Sequence, residues 1–267
     1  MPPFSRFFCN PLLFTLQISM ASSDKKPELA PASTGIQGQE APGKPESIAT
    51  TVIDAGAKLV QSMKPIQKIK QHACTFALYG HDLHRQIETS HYISRLNNDF
   101  LQCAVYDSDE SSARLIGIEY VISAELFERL PAEEQKLWHS HAYEVKAGLW
   151  ASPRLPDLIE KPELENLART YGKFWCTWQV DRGDRLPLGA PALMMSPQGV
   201  NAGMVRPEMV KRRDDRLGIS SKDLKEARLE MAEPEWIHPN ADYWKQHRKG
   251  FAVDVVSAEM KTVAAFP

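Results

Sequence analysis

The sequence predicts an α+β fold: a single domain built mainly on an antiparallel sheet, with helices packed on it and a disordered N-terminal tail. Three observations carry this. Four short runs rich in Val, Ile, Tyr and Phe, around Ala73–Tyr79, Ile87–Ser94, Phe100–Tyr106 and Leu115–Ile122, are divided by polar turns. Helical segments come after these strands. Residues 20–48 lack apolar periodicity.

Taken in order, residues 1–48 are predicted to be a disordered tail. Met1–Ser19 imitates a signal peptide, but Asn10 and Pro11 interrupt its apolar run and no clear small-x-small cleavage site follows. Met20 then reads as the natural start, with 1–19 as a gene-model extension. Residues 20–48 are dominated by Ser, Pro, Gly, Lys, Glu and Gln, which bury too little surface to offset the entropy of ordering. The domain is expected over 50–267. Val52, Ile53, Gly56, Leu59, Val60 and Met63 recur at helical spacing until Pro65, which predicts a short amphipathic helix. That helix either docks on the core or seeks an interface, with Lys58, Lys64, Lys68 and Lys70 beside it.

The turns Gly80-His81-Asp82, Asn97-Asn98 and Asp107-Ser108-Asp109 separate the four strands. Ser123 can cap a turn ending near Leu130, and Pro131-Ala132-Glu133-Glu134 is a helix start with its acids at the favourable end of the dipole. Pro156–Tyr171 reads as a helix with Gly172 as its stop. Phe174–Val180 reads as a central strand. Prolines and glycines beyond Asp181 suggest extended loops, Arg206–Glu230 a solvated charged helix, and Phe251–Val255 an edge strand. Asp181-Arg182-Gly183-Asp184 is expected to be a turn with an internal ion pair.

Composition narrows the partners. Lys+Arg of 32 against Asp+Glu of 34 gives a net charge of -2, so the basic excess that drives phosphate-backbone binding is lacking and nucleic acid is not expected. No apolar run approaches the ~20 residues of a spanning helix. Cys9, Cys74, Cys103 and Cys176 have no CxxC spacing and read as reduced thiols; the last three lie in apolar strands, where a thiol is inert. There is no GxSxG elbow, Walker loop or GxGxxG fingerprint.

The sharpest chemical signal is His139-Ser140-His141 with Glu144, joined by His91 on a predicted strand. Imidazole and carboxylate donors suit zinc, iron or manganese, and histidines two apart share one side of an extended strand. On a helix they would oppose one another. The residues from Pro131 to Trp138 look helical, and persistence of that helix would turn His139 away from His141 and Glu144. The pattern is similar to the HxH and Glu of cupin barrels, with one residue too few between His141 and Glu144.

Several long blocks carry a wider resemblance: Gln71–Phe76, His81–Gln86, Asn98–Asp107, Leu137–Glu144 and Trp175–Asp184. In that order they resemble the oil body-associated proteins of plant seeds, over nearly the whole chain from about Met20. Where the family commonly pairs two histidines before a tyrosine, this chain has Ser90, so His91 before Tyr92 alone carries over. The resemblance implies a peripheral protein of the seed lipid-droplet surface and cytoplasm that contributes to droplet size and stability. Its partners would be the droplet surface or resident proteins there. Ile53, Leu59, Val60 and Met63 are the expected interface residues. The alternative is a metal-dependent enzyme using the His/Glu cluster on a lipid-derived or small-molecule substrate; no cofactor beyond that divalent metal is implied.

Overall fold

A computed structural model describes residues 41–259. The expectations for 1–19, and for the tail as far as residue 40, lie outside the described residues. The chain first forms α1, Ile48–Val60, where the Ser47 hydroxyl accepts from the Thr50 amide at 3.2 Å. No residue of α1 is buried.

Four strands follow as an antiparallel meander: β1 (Ile69–Tyr79), β2 (Asp82–Asn97), β3 (Phe100–Tyr106) and β4 (Leu115–Ser123). The four predicted runs are all strands, separated at the predicted turns. The Ser123 hydroxyl then caps α2 (Ala124–Glu128), and α3 (Ala132–Gln135) starts behind Pro131. Next come β5 (His139–Ser140), α4 (Ala142–Lys146), α5 (Asp157–Leu167), β6 (Thr170–Cys176) and β7 (Ala192–Met195). The chain finishes with α6 (Pro207–Leu217), α7 (Ser221–Ala227) and α8 (Tyr243–His247).

The sheet order is β4-β3-β2-β1-β7-β6-β5, and β6 also pairs with β4. That last pairing closes β1–β4, β6 and β7 into a six-stranded barrel, which removes the open edges of a flat sheet. The two-residue β5 sits beside β7 on the same side of β6, with His139 opposite Gly172. Alternation puts Ala73 and Thr75, His91 and Ile93, and Glu119 and Val121 among the buried residues or the lining of internal cavities. The antiparallel sheet with attached helices is therefore as expected.

Some boundaries differ from the sequence reading. The helix expected to reach Tyr171 ends at Leu167, because Thr170–Cys176 pairs with β4 along its length. Gly172, expected as a helix stop, lies inside a strand. That strand ends at Cys176 rather than Val180: the Thr177 amide turns to donate to Ile116 O, and a helical turn at Val180–Arg182 is closed by Gly183 at φ 75°. Arg182 and Asp184 form the predicted ion pair there.

Phe251–Val255 forms no extended edge strand: Asp254 makes only an isolated bridge, and Phe251 packs against the cluster of Leu193, Met195 and Trp244. The charged stretch after Arg206 is two helices broken by Gly218 at φ 65°, and it is not simply a solvated face. Arg213 is fully buried, donating to Leu149 O at 2.8 Å and to Ser221 Oγ at 2.7 Å. Arg228 is buried too, donating to Trp150 O at 2.7 Å. Both arginines hold the segment at 148–151 against the barrel.

Candidate functional site

The helix that starts at Pro131 stops after Gln135, and its end decides the geometry of the histidines. His139 enters the extended β5 and His141 follows as the residue before α4, so both rings turn to one carboxylate inside the barrel. That carboxylate is Glu119 of β4. Its Oε1 lies 2.8 Å from His139 Nε2 and 3.5 Å from His141 Nε2. His91 Nδ1 is 2.9 Å from Glu119 Oε2 but out of line for a hydrogen bond, so this buried atom has no such partner among the described residues.

All five groups are sealed from solvent, none more than 3% exposed. Glu144, on α4, stands at one side: its Oε1 is 3.9 Å from His141 Nε2, and its Oε2 accepts from the Thr75 hydroxyl at 2.5 Å. Thus His139 and His141 converge on Glu119, His91 meets that carboxylate's second oxygen, and Glu144 flanks them. Sequence reasoning did not single out Glu119. The available signal was an acid in an apolar strand at a position in step with Gly117 and Val121.

The outer sides of the rings are also fixed. His139 Nδ1 faces Met194 O at 3.2 Å, so it carries the proton and donates. The Thr170 hydroxyl donates to Leu167 O at 2.7 Å, so it accepts from His141 Nδ1 at 2.8 Å. Beneath them is Gly172. A β-carbon there would collide with Glu119 Oε1 and stand 2.5 Å from His139 Nε2 and 2.7 Å from His141 Nε2. Only glycine leaves these atoms room.

Electrostatics separates the two acids. Burial alone would raise the Glu119 carboxyl, but the imidazoles of His139, His141 and His91 around it hold it well below the usual carboxylate range. Burial raises Glu144, and the nearby His141 and Thr75 offset this only in part. Burial works to lower His139, yet the Glu119 contact leaves it raised. Two other groups of possible ligands each contain a thiol: His72 with Cys74 and Asp109, and His91 with Cys103 and Glu119.

Two voids adjoin the cluster. A small one of about 10 Å³ is bounded by Thr75, His91, Glu119, His139 and Glu144 among others. A cavity of about 220 Å³ opens one strand layer away, lined in part by Ala73, Ile93, Val121, Trp150 and Thr170. Trp150 lies between them, its ring 5.6 Å from that of His91 and 6.1 Å from that of His141.

The expected interface residues are elsewhere. Ile53, Leu59, Val60 and Met63 are all exposed, at 68%, 87%, 84% and 45%.

The family model described as a protein of unknown function (DUF1264) matches residues 63–232, which hold the barrel and the whole cluster. Oil body-associated protein 2B of Zea mays is 61% identical over 93% of this chain and 100% of its own length. The chain belongs to the oil body-associated protein family. Within that family, protein 2C of Arabidopsis thaliana is 59% identical over 88% of this chain and 100% of its own, and protein 1B of the same plant 39% over 88% and 96%. No solved structure matches. Among the described residues, no helix is long and apolar enough to cross a membrane.

Proposed function

We propose that this chain is a peripheral protein of the seed oil body, held at the phospholipid surface by α1 and contributing to droplet size and stability. Family membership supports the location, since the relatives are named for oil body association. One observation carries the mode of attachment: α1 is amphipathic, yet buries nothing. On a helical wheel Ile48, Val52, Gly56, Leu59, Val60 and Ile53 share one half, opposite Thr50, Thr51, Asp54 and Lys58. Ile48 and Leu59 are 86% and 87% exposed, where a helix docked on a core would hide them. Lys58, Lys64, Lys68 and Lys70 are exposed alongside, where they can meet anionic head groups.

Each large apolar side chain fully buried in the surface contributes about 1.5–3 kcal/mol. In this reading the chain exchanges between cytoplasm and droplet, with the barrel outside the monolayer. Flotation of the purified chain with phospholipid-coated triacylglycerol droplets tests it. Wild type is expected in the floating layer and Ile53→Asp/Leu59→Asp in the subnatant; equal flotation of both would overturn attachment through α1.

A further inference from the structure

We propose that the barrel interior holds a divalent transition-metal ion, bound by Glu119 Oε1, His139 Nε2 and His141 Nε2. This is independent of droplet attachment. Met194 O and Thr170 Oγ1 take the Nδ1 protons of His139 and His141, so in the neutral rings both Nε2 atoms present lone pairs. Those lone pairs face Glu119 Oε1 at 2.8 and 3.5 Å. Acceptors so placed repel in a dry interior unless positive charge lies between them.

Spacing favours a metal ion as that charge. With bonds of ~2.1 Å, neighbouring ligand atoms stand about 3.0 Å apart in octahedral and about 3.4 Å in tetrahedral coordination. The observed pair distances, 2.8 and 3.5 Å, bracket that range. Gly172 keeps the inner face of the cluster clear, as any side chain would strike all three donors. His91 adds a buried, unbonded Nδ1 beside Glu119 Oε2. The void of about 10 Å³ among these groups is about the size of one water.

The surroundings agree. Met194 O and Thr170 orient the ligating rings from behind, as metal sites require. Two imidazoles and one carboxylate suit iron, zinc, manganese or cobalt and leave coordination positions open.

The test uses the full chain without a polyhistidine tag. Metal-depleted protein is titrated with Co²⁺, Zn²⁺ and Mn²⁺, following Co²⁺ by visible absorption, and the Zn²⁺-loaded form is measured by X-ray absorption. One ion per chain is expected, with only nitrogen and oxygen neighbours including two imidazoles. Thr170→Val, which removes the hydroxyl that orients His141 and with it the bond to Leu167 O, should weaken binding roughly 10–100-fold, and Glu119→Gln should abolish it. Failure of the wild type to bind any of the three ions would overturn the site. So would a sulfur neighbour, which would assign the metal to a group containing Cys74 or Cys103. The wild-type arms decide the matter even if Glu119→Gln fails to fold.

Discussion

Cys74, Cys103 and Cys176 are free and buried in strands, and burial pushes each thiol up, that of Cys176 to about 11. They should therefore be neutral at pH 8, and a disulfide reagent should label them in the native protein far more slowly than in denaturant; fast native labelling would show the barrel to be open. Arg213 supports the prediction of largest effect on stability. Arg213→Met keeps the chain length but strands the carbonyls of Gly148 and Leu149, at about 1–3 kcal/mol for each buried group left unpaired. Urea unfolding should show that loss as a lower midpoint. Nothing in the sequence marks this arginine out from its charged neighbours, since its burial comes from α6 crossing the segment at 148–151. Glu119 was hidden for a similar reason: a lone acid becomes a site residue only when barrel closure brings β5 and β6 beside β4. His139 and His141 could be picked out by their spacing, yet whether they face one point depended on where a helix ended.

At the scale of elements, local pattern succeeded where a segment acts by itself. The four hairpin strands follow their own alternation and turns, and α1 follows its periodicity, although it ends at Val60, ahead of Met63 and the expected stop at Pro65. Boundaries set by distant pairing could not be read this way. Thr170–Cys176 has helical sequence before it and a glycine inside it, and only pairing with β4 and the close approach at Gly172 make it a strand. For α1 the structure removes an ambiguity, because a helix with no buried residue contributes little to the stability of the barrel. Ile53→Asp/Leu59→Asp should therefore leave Tm within about 4 °C of wild type, since two surface changes of less than ~0.5 kcal/mol each sum to under ~1 kcal/mol. A fall of about 10 °C or more would place the helix in the core instead.

For the whole molecule, the closed barrel and the exposed helix divide the work. The barrel buries its polar cluster, no helix among the described residues is long and apolar enough to cross a membrane, and α1 carries the exposed apolar face proposed to meet the oil body surface. Such attachment rests on a few side chains and on charge, so it should yield to conditions that leave embedded proteins in place. The most direct measurement is an alkaline carbonate wash of isolated seed oil bodies, with the protein quantified in the floating and soluble fractions. The account predicts that a large share moves to the soluble fraction. Complete retention on the washed droplets would contradict it.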